Sequence, residues 1–201
     1  MRAFSCPTCG RLVTFENTQC LHCGQALGFD CDVRQIVALQ GSRERCANHR
    51  IAGCNWLVTD DGAQCASCAL TRTRPADDDR AGLDGLRRAE AAKRRLLLQL
   101  AELGLPIVSW REREGGLAFD LLSSEREPVS TGHADGVITL DLNETDSAER
   151  EARRQQLGEP YRTVLGHFRH EVGDFYFRIL VPADGPRIAR ARELFGDETA
   201  D

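Results

Sequence analysis

The sequence has no long apolar run and almost no lysine. No segment approaches the ~20 consecutive apolar residues that a membrane-spanning helix needs, and the first ten residues, MRAFSCPTCG, lack the apolar core of a signal peptide. Lys93 is the only lysine among 26 basic residues, and the formal net charge is -5. An acidic chain has no general attraction for nucleic acid, which argues against such a partner. We therefore expect a cytoplasmic protein without a membrane partner.

Cysteine is absent from most of the chain, because all nine cysteines lie between Cys6 and Cys68. Close pairs in a chain without a secretion signal predict metal ligands rather than disulfides. The first cluster consists of CPTCG and CLHCG, whose sulfur ligands are Cys6, Cys9, Cys20 and Cys23. In each half the glycine lets the backbone turn beneath two thiolates. Two such halves supply the four soft ligands that zinc accepts in tetrahedral geometry.

The second cysteine cluster is less regular. A C-x-x-C pair follows two more widely spaced cysteines, giving the set Cys46, Cys54, Cys65 and Cys68. His49 or His22 could replace one of these cysteines, so the exact ligand set of the predicted second zinc is open. Cys31 is left over, and we expect it to be a small buried apolar residue. Four-thiolate sites leave no open position for water, so the cysteine region is predicted to be structural and not catalytic.

The composition divides the chain into three parts and predicts an α+β fold. Residues 1–75 form the predicted zinc-ribbon domain, and residues 76–104 form a linker and a connecting helix over Gly82–Leu103, where leucine and alanine recur at helical spacing. In residues 105–201, PIVSW and GLAFDLL flank EREGG as a candidate hairpin, and GVITLDL alternates as a strand. Further helices are predicted over Asp146–Leu157, Pro160–Phe177 and Pro186–Phe195.

The segment LGHFRHEVGDFYF, Leu165–Phe177, differs by one residue from the zinc-peptidase motif H-E-x-x-H. His170 and Glu171 match the motif, but Asp174 occupies the position of the second histidine. On a helix, one polar stripe would contain His167, His170, Glu171 and Asp174, and a separate apolar stripe would contain Tyr161, Leu165, Phe168, Val172 and Phe175. Because the short pattern is common by chance, an ordinary solvated helix face is the alternative.

Longer blocks carry a resemblance to a known family. The blocks are GCNWLV from Gly53, LTRTRP from Leu70, TGHADGVITLDLNETD from Thr131, GEPYRTVLGHFRHEVG from Gly158 and RELFGDE from Arg192. Together they closely resemble a bacterial family of zinc-binding metallopeptidases whose members carry an N-terminal zinc ribbon. The resemblance extends over nearly the whole chain. It implies zinc as cofactor, a small zincin-like α+β domain after the ribbon, and a peptide or protein as substrate or partner.

The resemblance also implies roles for individual residues. His170 is expected to be a zinc ligand, and Glu171 the general base that takes a proton during amide hydrolysis. A third ligand is expected downstream of the motif, with Glu198 the first candidate and Asp197 or Glu193 the alternatives. His133, in the TGH block, is expected either to line the cleft or to be an exposed loop histidine.

Two departures from the family pattern bear on activity. Asp174 stands where the family has histidine, and its carboxylate reaches less far than imidazole and adds negative charge at the metal. Family members usually continue beyond the FGDE block, so we expect the 105–201 domain to be incomplete at its C-terminus. The sequence thus predicts a zinc metallopeptidase-like protein with an H-E-x-x-D motif. The alternatives are a non-catalytic zinc-ribbon module that binds protein and, less favoured, a nucleic-acid adaptor.

Overall fold

The computed structural model of the protein describes residues 2–125, 127–146, 163–181 and 185–197. Most of the helix predicted over Asp146–Leu157 lies outside these residues, as do Pro160, Tyr161 and the candidate ligand Glu198. The described elements mix helices and sheets, which confirms the α+β prediction.

The N-terminal part is built from short antiparallel strand pairs. The pairs within the described residues are β1 (Phe4–Ser5) with β2 (Leu12–Val13), β3 (Leu27–Asp30) with β4 (Gln35–Ala38), and β5 (Glu44–Arg45) with β6 (Leu57–Val58). Between them lies a small aromatic cluster in which the Phe29 ring is 4.8 Å from Phe15 and 5.1 Å from Trp56. Isolated two-stranded ribbons are marginally stable in water, so these pairs need additional support from packing or metal.

A long helix, α2 (Arg80–Glu102), follows the short α1 (Ala66–Ala69) and connects the two halves of the chain. Its sequence is rich in Ala, Leu, Arg and Glu, which have high helix propensity. The helix begins after Asp79, whose carboxylate accepts a hydrogen bond from the Gly82 amide at 2.7 Å. The leucines of its C-terminal half are buried. The helix predicted over Gly82–Leu103 is therefore confirmed to within two residues.

A four-stranded sheet has the order β7 (Thr71–Thr73), β8 (Ala118–Leu122), β10 (Val137–Asp141) and β9 (Gly132–Ala134). β8 runs parallel to both β7 and β10, whereas β9 is antiparallel to β10. The hairpin predicted from PIVSW to GLAFDLL is therefore wrong, because parallel neighbours occupy both edges of β8. PIVSW contributes only a single bridge between Ser109 and Leu117.

Strand β7 links the predicted zinc ribbon to the part of the chain that follows it. It lies within the predicted ribbon, residues 1–75, yet it pairs with β8 of the following part, so the sheet includes both. The core is continuous as well, since buried apolar residues from Phe4 to Tyr176 belong to one cluster. The division of the chain at residue 75 remains a prediction.

The motif helix is α3 (Val164–Leu180), and α4 (Pro186–Phe195) follows it with the bounds predicted from sequence. The side chain of Thr163 accepts a hydrogen bond from the Gly166 amide at 2.9 Å and caps α3. α3 packs against α2, β9 and β10. Within this packing, the Phe168 ring meets Phe119 of β8 edge to face at 5.4 Å. The inner side of α3 is thereby fixed to the sheet and to α2.

Candidate metal centres

The first cysteine cluster brings its four sulfur atoms within 4.8 Å of one another. The sulfur atoms of Cys6 and Cys23 are 3.7 Å apart, and those of Cys9 and Cys20 are 3.6 Å apart. Four sulfurs arranged tetrahedrally ~2.3 Å from a zinc ion would be about 3.8 Å apart. The observed spacing fits this arrangement and is far longer than a disulfide bond of ~2.05 Å.

Both halves of this cluster are built in the same way. The amide of Gly10 donates to the Cys6 carbonyl, and the amide of Gly24 donates to the Cys20 carbonyl, each at 2.9 Å. Gly10 and Gly24 have φ angles of 71° and 73°, in the left-handed region that glycine adopts without strain. The glycine after each C-x-x-C therefore turns the chain back under the sulfurs.

The second cysteine cluster is more deeply enclosed. All four cysteines, Cys46, Cys54, Cys65 and Cys68, are buried, and their sulfurs also lie within 4.8 Å of one another. The Cys65 sulfur caps the short α1 by accepting from the Cys68 amide at 3.5 Å. The Cys46 sulfur accepts from the Cys65 amide at 3.3 Å. Backbone amides thus orient the sulfurs for a shared cation.

The other candidate ligands of the ribbon lie outside the two sulfur sets. His49 is directed at the protein backbone, with Nδ1 3.2 Å from the Cys46 carbonyl oxygen. His22 is exposed. Cys31 is partly buried, less than the sequence predicted, and burial raises the pKa of its thiol. The cysteine spacing alone therefore predicted the members of both sulfur clusters, and neither histidine is among them.

The ionisation of the first cluster is uneven. The pKa of Cys20 falls to about 6, chiefly because the amides of Cys23 and His22 donate to its sulfur. The amide of Arg11 is the largest single influence on Cys9 and lowers its pKa, but burial and the neighbouring thiols together raise the pKa of Cys9 to about 12. The pKa is likewise lowered at two cysteines of the second cluster and raised at the other two. Four adjacent thiols cannot all ionise without a cation between them, which is the role that zinc fits.

On α3, the structure divides the predicted polar stripe into two pairs. His170 and Asp174 lie one helical turn apart, and both are exposed. Glu171 is buried, and one of its carboxylate oxygens is 3.6 Å from Nε2 of His167. The apolar residues Phe168, Val172 and Phe175 are buried as the sequence predicted. His170 and Asp174 therefore remain available on the outer face of the helix.

His133 on β9 lies beside the motif helix. Its ring meets Phe175 edge to face at 6.0 Å, and its Nε2 accepts a hydrogen bond from the Gly136 amide at 3.2 Å. The pKa of His133 is lowered, first by burial and then by the charge of Arg178, although Asp174, Glu171 and Asp135 act in the opposite direction. His133 thus packs against α3, and its burial favours the neutral form of the imidazole.

The described part of the chain does not supply a complete third metal site. Apart from the two cysteine clusters, no three Cys, His, Asp or Glu residues of the described ranges have ligand atoms within 4.8 Å of one another. The candidate ligand Glu198 lies outside those ranges. The alternatives Glu193 and Asp197 are exposed and lie near Arg190 and Arg192, at 2.7 Å and 3.7 Å respectively.

Two features of these sites were not predicted from sequence. One is the pairing of His167 with the catalytic candidate Glu171, which the i, i+4 spacing could have suggested. The other is the burial of Arg94, which is only 2% exposed although it lies in the basic sequence KRR. Consecutive basic residues ordinarily indicate a solvated helix face, so composition gave no signal for this buried arginine.

Comparison with known proteins places these sites in context. A family model described as "Putative zinc-binding metallo-peptidase" matches residues 83–201. A zinc-ribbon domain model matches residues 3–79. The two matches together cover both cysteine clusters and the motif helix.

Similar proteins occur in mycobacteria. Uncharacterized proteins of Mycobacterium bovis and of two strains of Mycobacterium tuberculosis are each 51% identical to this chain over 206 residues. The alignments include 100% of this chain and 60% of each relative, so the chain spans about 60% of the length of these relatives. No solved structure matches the chain. Within the described ranges, no helix has the length and apolar character needed to cross a membrane.

Proposed function

From the family of putative zinc-binding metallo-peptidases, to which this chain belongs, we propose a zinc-dependent, metallopeptidase-like function centred on the outer face of α3. One observation carries this proposal. His170 and Asp174 are exposed one turn apart on a helix whose opposite side is fixed by buried Phe168 and Phe175. Imidazole and carboxylate are both ligands that zinc accepts, and i, i+4 spacing directs them to the same side.

Each residue of this centre has a defined part. His170 and Asp174 are the metal ligands on α3, and Glu198 is the third. Zinc bound there would act as a Lewis acid towards an amide carbonyl. Glu171 accepts a proton from the attacking water, and His167, 3.6 Å from its carboxylate, holds that carboxylate in place. The substrate is a peptide or protein.

The eight clustered cysteines have a structural function in this proposal. Cys6, Cys9, Cys20 and Cys23 hold one zinc, and Cys46, Cys54, Cys65 and Cys68 hold a second. The sulfur spacing of 3.6 Å to 3.7 Å supports this assignment. We assign residues 1–75 to the ribbon, 76–104 to the linker and connecting helix, and 105–201 to the metallopeptidase-like domain. The protein is proposed to act in the cytoplasm.

A second function is favoured by a different observation. Aspartate replaces the second motif histidine, and Glu171 is only 8% exposed. A carboxylate buried against His167 is poorly placed to take a proton from solvent. The alternative is therefore a pseudo-peptidase that binds a protein partner without hydrolysing it, and a nucleic-acid partner is disfavoured by the net charge of -5.

Metal content distinguishes the two functions. The peptidase proposal predicts three zinc ions per chain by elemental analysis, and the binding-protein alternative predicts two. His170→Ala should reduce three to two, whereas Arg178→Ala, which removes an exposed side chain of the same helix, should leave the count unchanged. A count of two in the wild-type protein that is unaffected by His170→Ala would refute the metal site on α3.

A further inference from the structure

The loop that leads to Cys54 is held by two arginines of α2. Arg87 donates to the carbonyls of Arg50 and Ile51 at 3.2 Å and 3.1 Å. Arg94 donates to the carbonyls of Ala52 and Gly53 at 3.5 Å and 3.1 Å. Four consecutive carbonyls are therefore satisfied from α2, by arginines that are seven residues apart and lie on the same side of that helix. The next residue along the loop is Cys54.

The two arginines differ in their surroundings. The side chain of Arg87 is 50% exposed and forms an ion pair with Asp84 at 3.0 Å. The side chain of Arg94 is 3% exposed, and its Nε has no hydrogen-bond partner among the described residues. A buried guanidinium that donates to neutral carbonyls still needs a negative charge nearby.

The buried charges of α2 do not balance. The buried charged residues of α2 are one carboxylate, Glu90, and two cations, Lys93 and Arg94. Glu90 is 2.7 Å from Lys93 but 4.0 Å from Arg94, so the Glu90 carboxylate mainly neutralises the lysine. Among the buried residues of α2, one positive charge is therefore left without a matching carboxylate. The second cysteine cluster adjoins this charge, because Arg94 donates at 3.1 Å to the carbonyl of Gly53, the residue before Cys54.

We propose that Arg94 is the counter-charge and the positioning residue of the second zinc site, so that the connecting helix α2 completes a metal site of the zinc ribbon. A zinc ion with four thiolates carries a net charge of about -2, and burying this charge is costly unless a cation lies close by. The first cluster has less need of such a residue, since Cys23 is exposed and water can screen its charge. Arg94 also fixes the carbonyls on either side of the turn that presents Cys54.

The proposal is tested by replacing Arg94 in the whole chain and measuring zinc release to a chromophoric chelator. Zinc release is expected in two kinetic phases, one for each site. The phase that remains in Cys6→Ser, which removes the first site, belongs to the second site. Arg94→Gln should make release from the second site faster by roughly 10-fold to 100-fold, the usual range for residues that support metal ligands. Release from the first site should not change. Arg94→Lys, which keeps the charge, should recover most of the loss.

Arg87→Gln is the matched control. It also removes hydrogen bonds to this loop, but the charge that it removes is exposed, whereas that of Arg94 is buried. It should alter release by much less than Arg94→Gln. The proposal would be overturned if Arg94→Gln released zinc from both sites at the wild-type rate. It would also be overturned if Arg87→Gln accelerated release from the second site as much as Arg94→Gln does. Should Arg94→Gln fail to fold, Arg94→Lys decides the matter. This variant lacks the forked donor and should lose the second zinc faster than wild type, and an unchanged rate would refute the positioning role.

Discussion

At the scale of single residues, Asp174 controls what the outer face of α3 can bind. It is exposed and lies one turn beyond His170, which is also exposed, so a substitution there need not disturb the core. Asp174→His should raise zinc affinity at this face by about tenfold or more, equivalent to ~1.4 kcal/mol, because a neutral imidazole reaches further than a carboxylate and preserves the Lewis acidity of the metal. Isothermal titration with zinc, after both cysteine clusters are filled, measures the change.

Glu171 provides the control for activity in that variant. If Asp174→His creates peptidase activity, adding Glu171→Gln should reduce it by ~10²-fold to 10⁴-fold and leave the added zinc in place, since the residue moves a proton and is not a ligand. Cleavage of a quenched fluorescent peptide, measured alongside the zinc content, separates these effects. Absence of an additional zinc in Asp174→His would show that the face lacks its third ligand, and the non-catalytic alternative would then be preferred.

At the scale of elements, the contact between β7 and β8 gives a prediction about pH. Arg72 donates to Asp120 through Nε at 3.0 Å and also through its terminal nitrogen. Burial is the largest influence on the pKa of Asp120 and raises it, but the hydrogen bonds from Arg72 and Thr73 together lower it below the ordinary value. A carboxylate with a lowered folded-state pKa stabilises the fold above its unfolded pKa of ~3.9. That contribution is lost as the pH falls through the folded-state pKa.

Asp120→Asn should therefore lower the free energy of unfolding at pH 7 by ~0.2–1 kcal/mol, a modest value because the Arg72 side chain is 43% exposed and solvent screens the pair. The difference from wild type should shrink as the pH falls below the unfolded pKa of ~3.9 towards the folded-state pKa, as measured by urea unfolding at several pH values. Asp84→Asn, which removes an exposed carboxylate on α2, is the comparison variant and should show a smaller difference. A difference that persists unchanged at pH 3 would show that Asp120 acts by packing and not by charge.

The elements also show which features a sequence pattern can predict. The bounds of α2 and α4 were predicted closely, because capping residues, proline and helical periodicity are local signals. The strand character of GLAFDLL was predicted, but its partners were not. β8 pairs with β7, which lies more than forty residues earlier, and such a pairing leaves no trace in nearby sequence. Of the metal-site residues, the cysteine pairs were visible from spacing, whereas the burial of Arg94 depends on how α2 packs and could not be predicted.

At the scale of the whole molecule, the two cysteine clusters differ in how they join the rest of the protein. The first cluster lies among short strand pairs, and two of its cysteines, Cys9 and Cys23, are not fully buried. The second is entirely buried, and α1, whose residues include Cys68, is followed directly by β7 of the four-stranded sheet. Loss of metal at the second site should therefore affect the sheet, whereas loss at the first should remain local.

Cys6→Ser and Cys65→Ser test this difference, since each is expected to remove one zinc. Amide hydrogen exchange should show that Cys6→Ser exposes the region around β1 and β2 but leaves β8 and β10 protected. Cys65→Ser should reduce the protection of β8. Strand β7 pairs with one edge of β8, and in this variant β7 would lose the metal-bound turn that precedes it. Strong protection of β8 in Cys65→Ser would mean that the sheet is stable without the second zinc. The ribbon and the metallopeptidase-like domain would then unfold independently, although β7 pairs with β8.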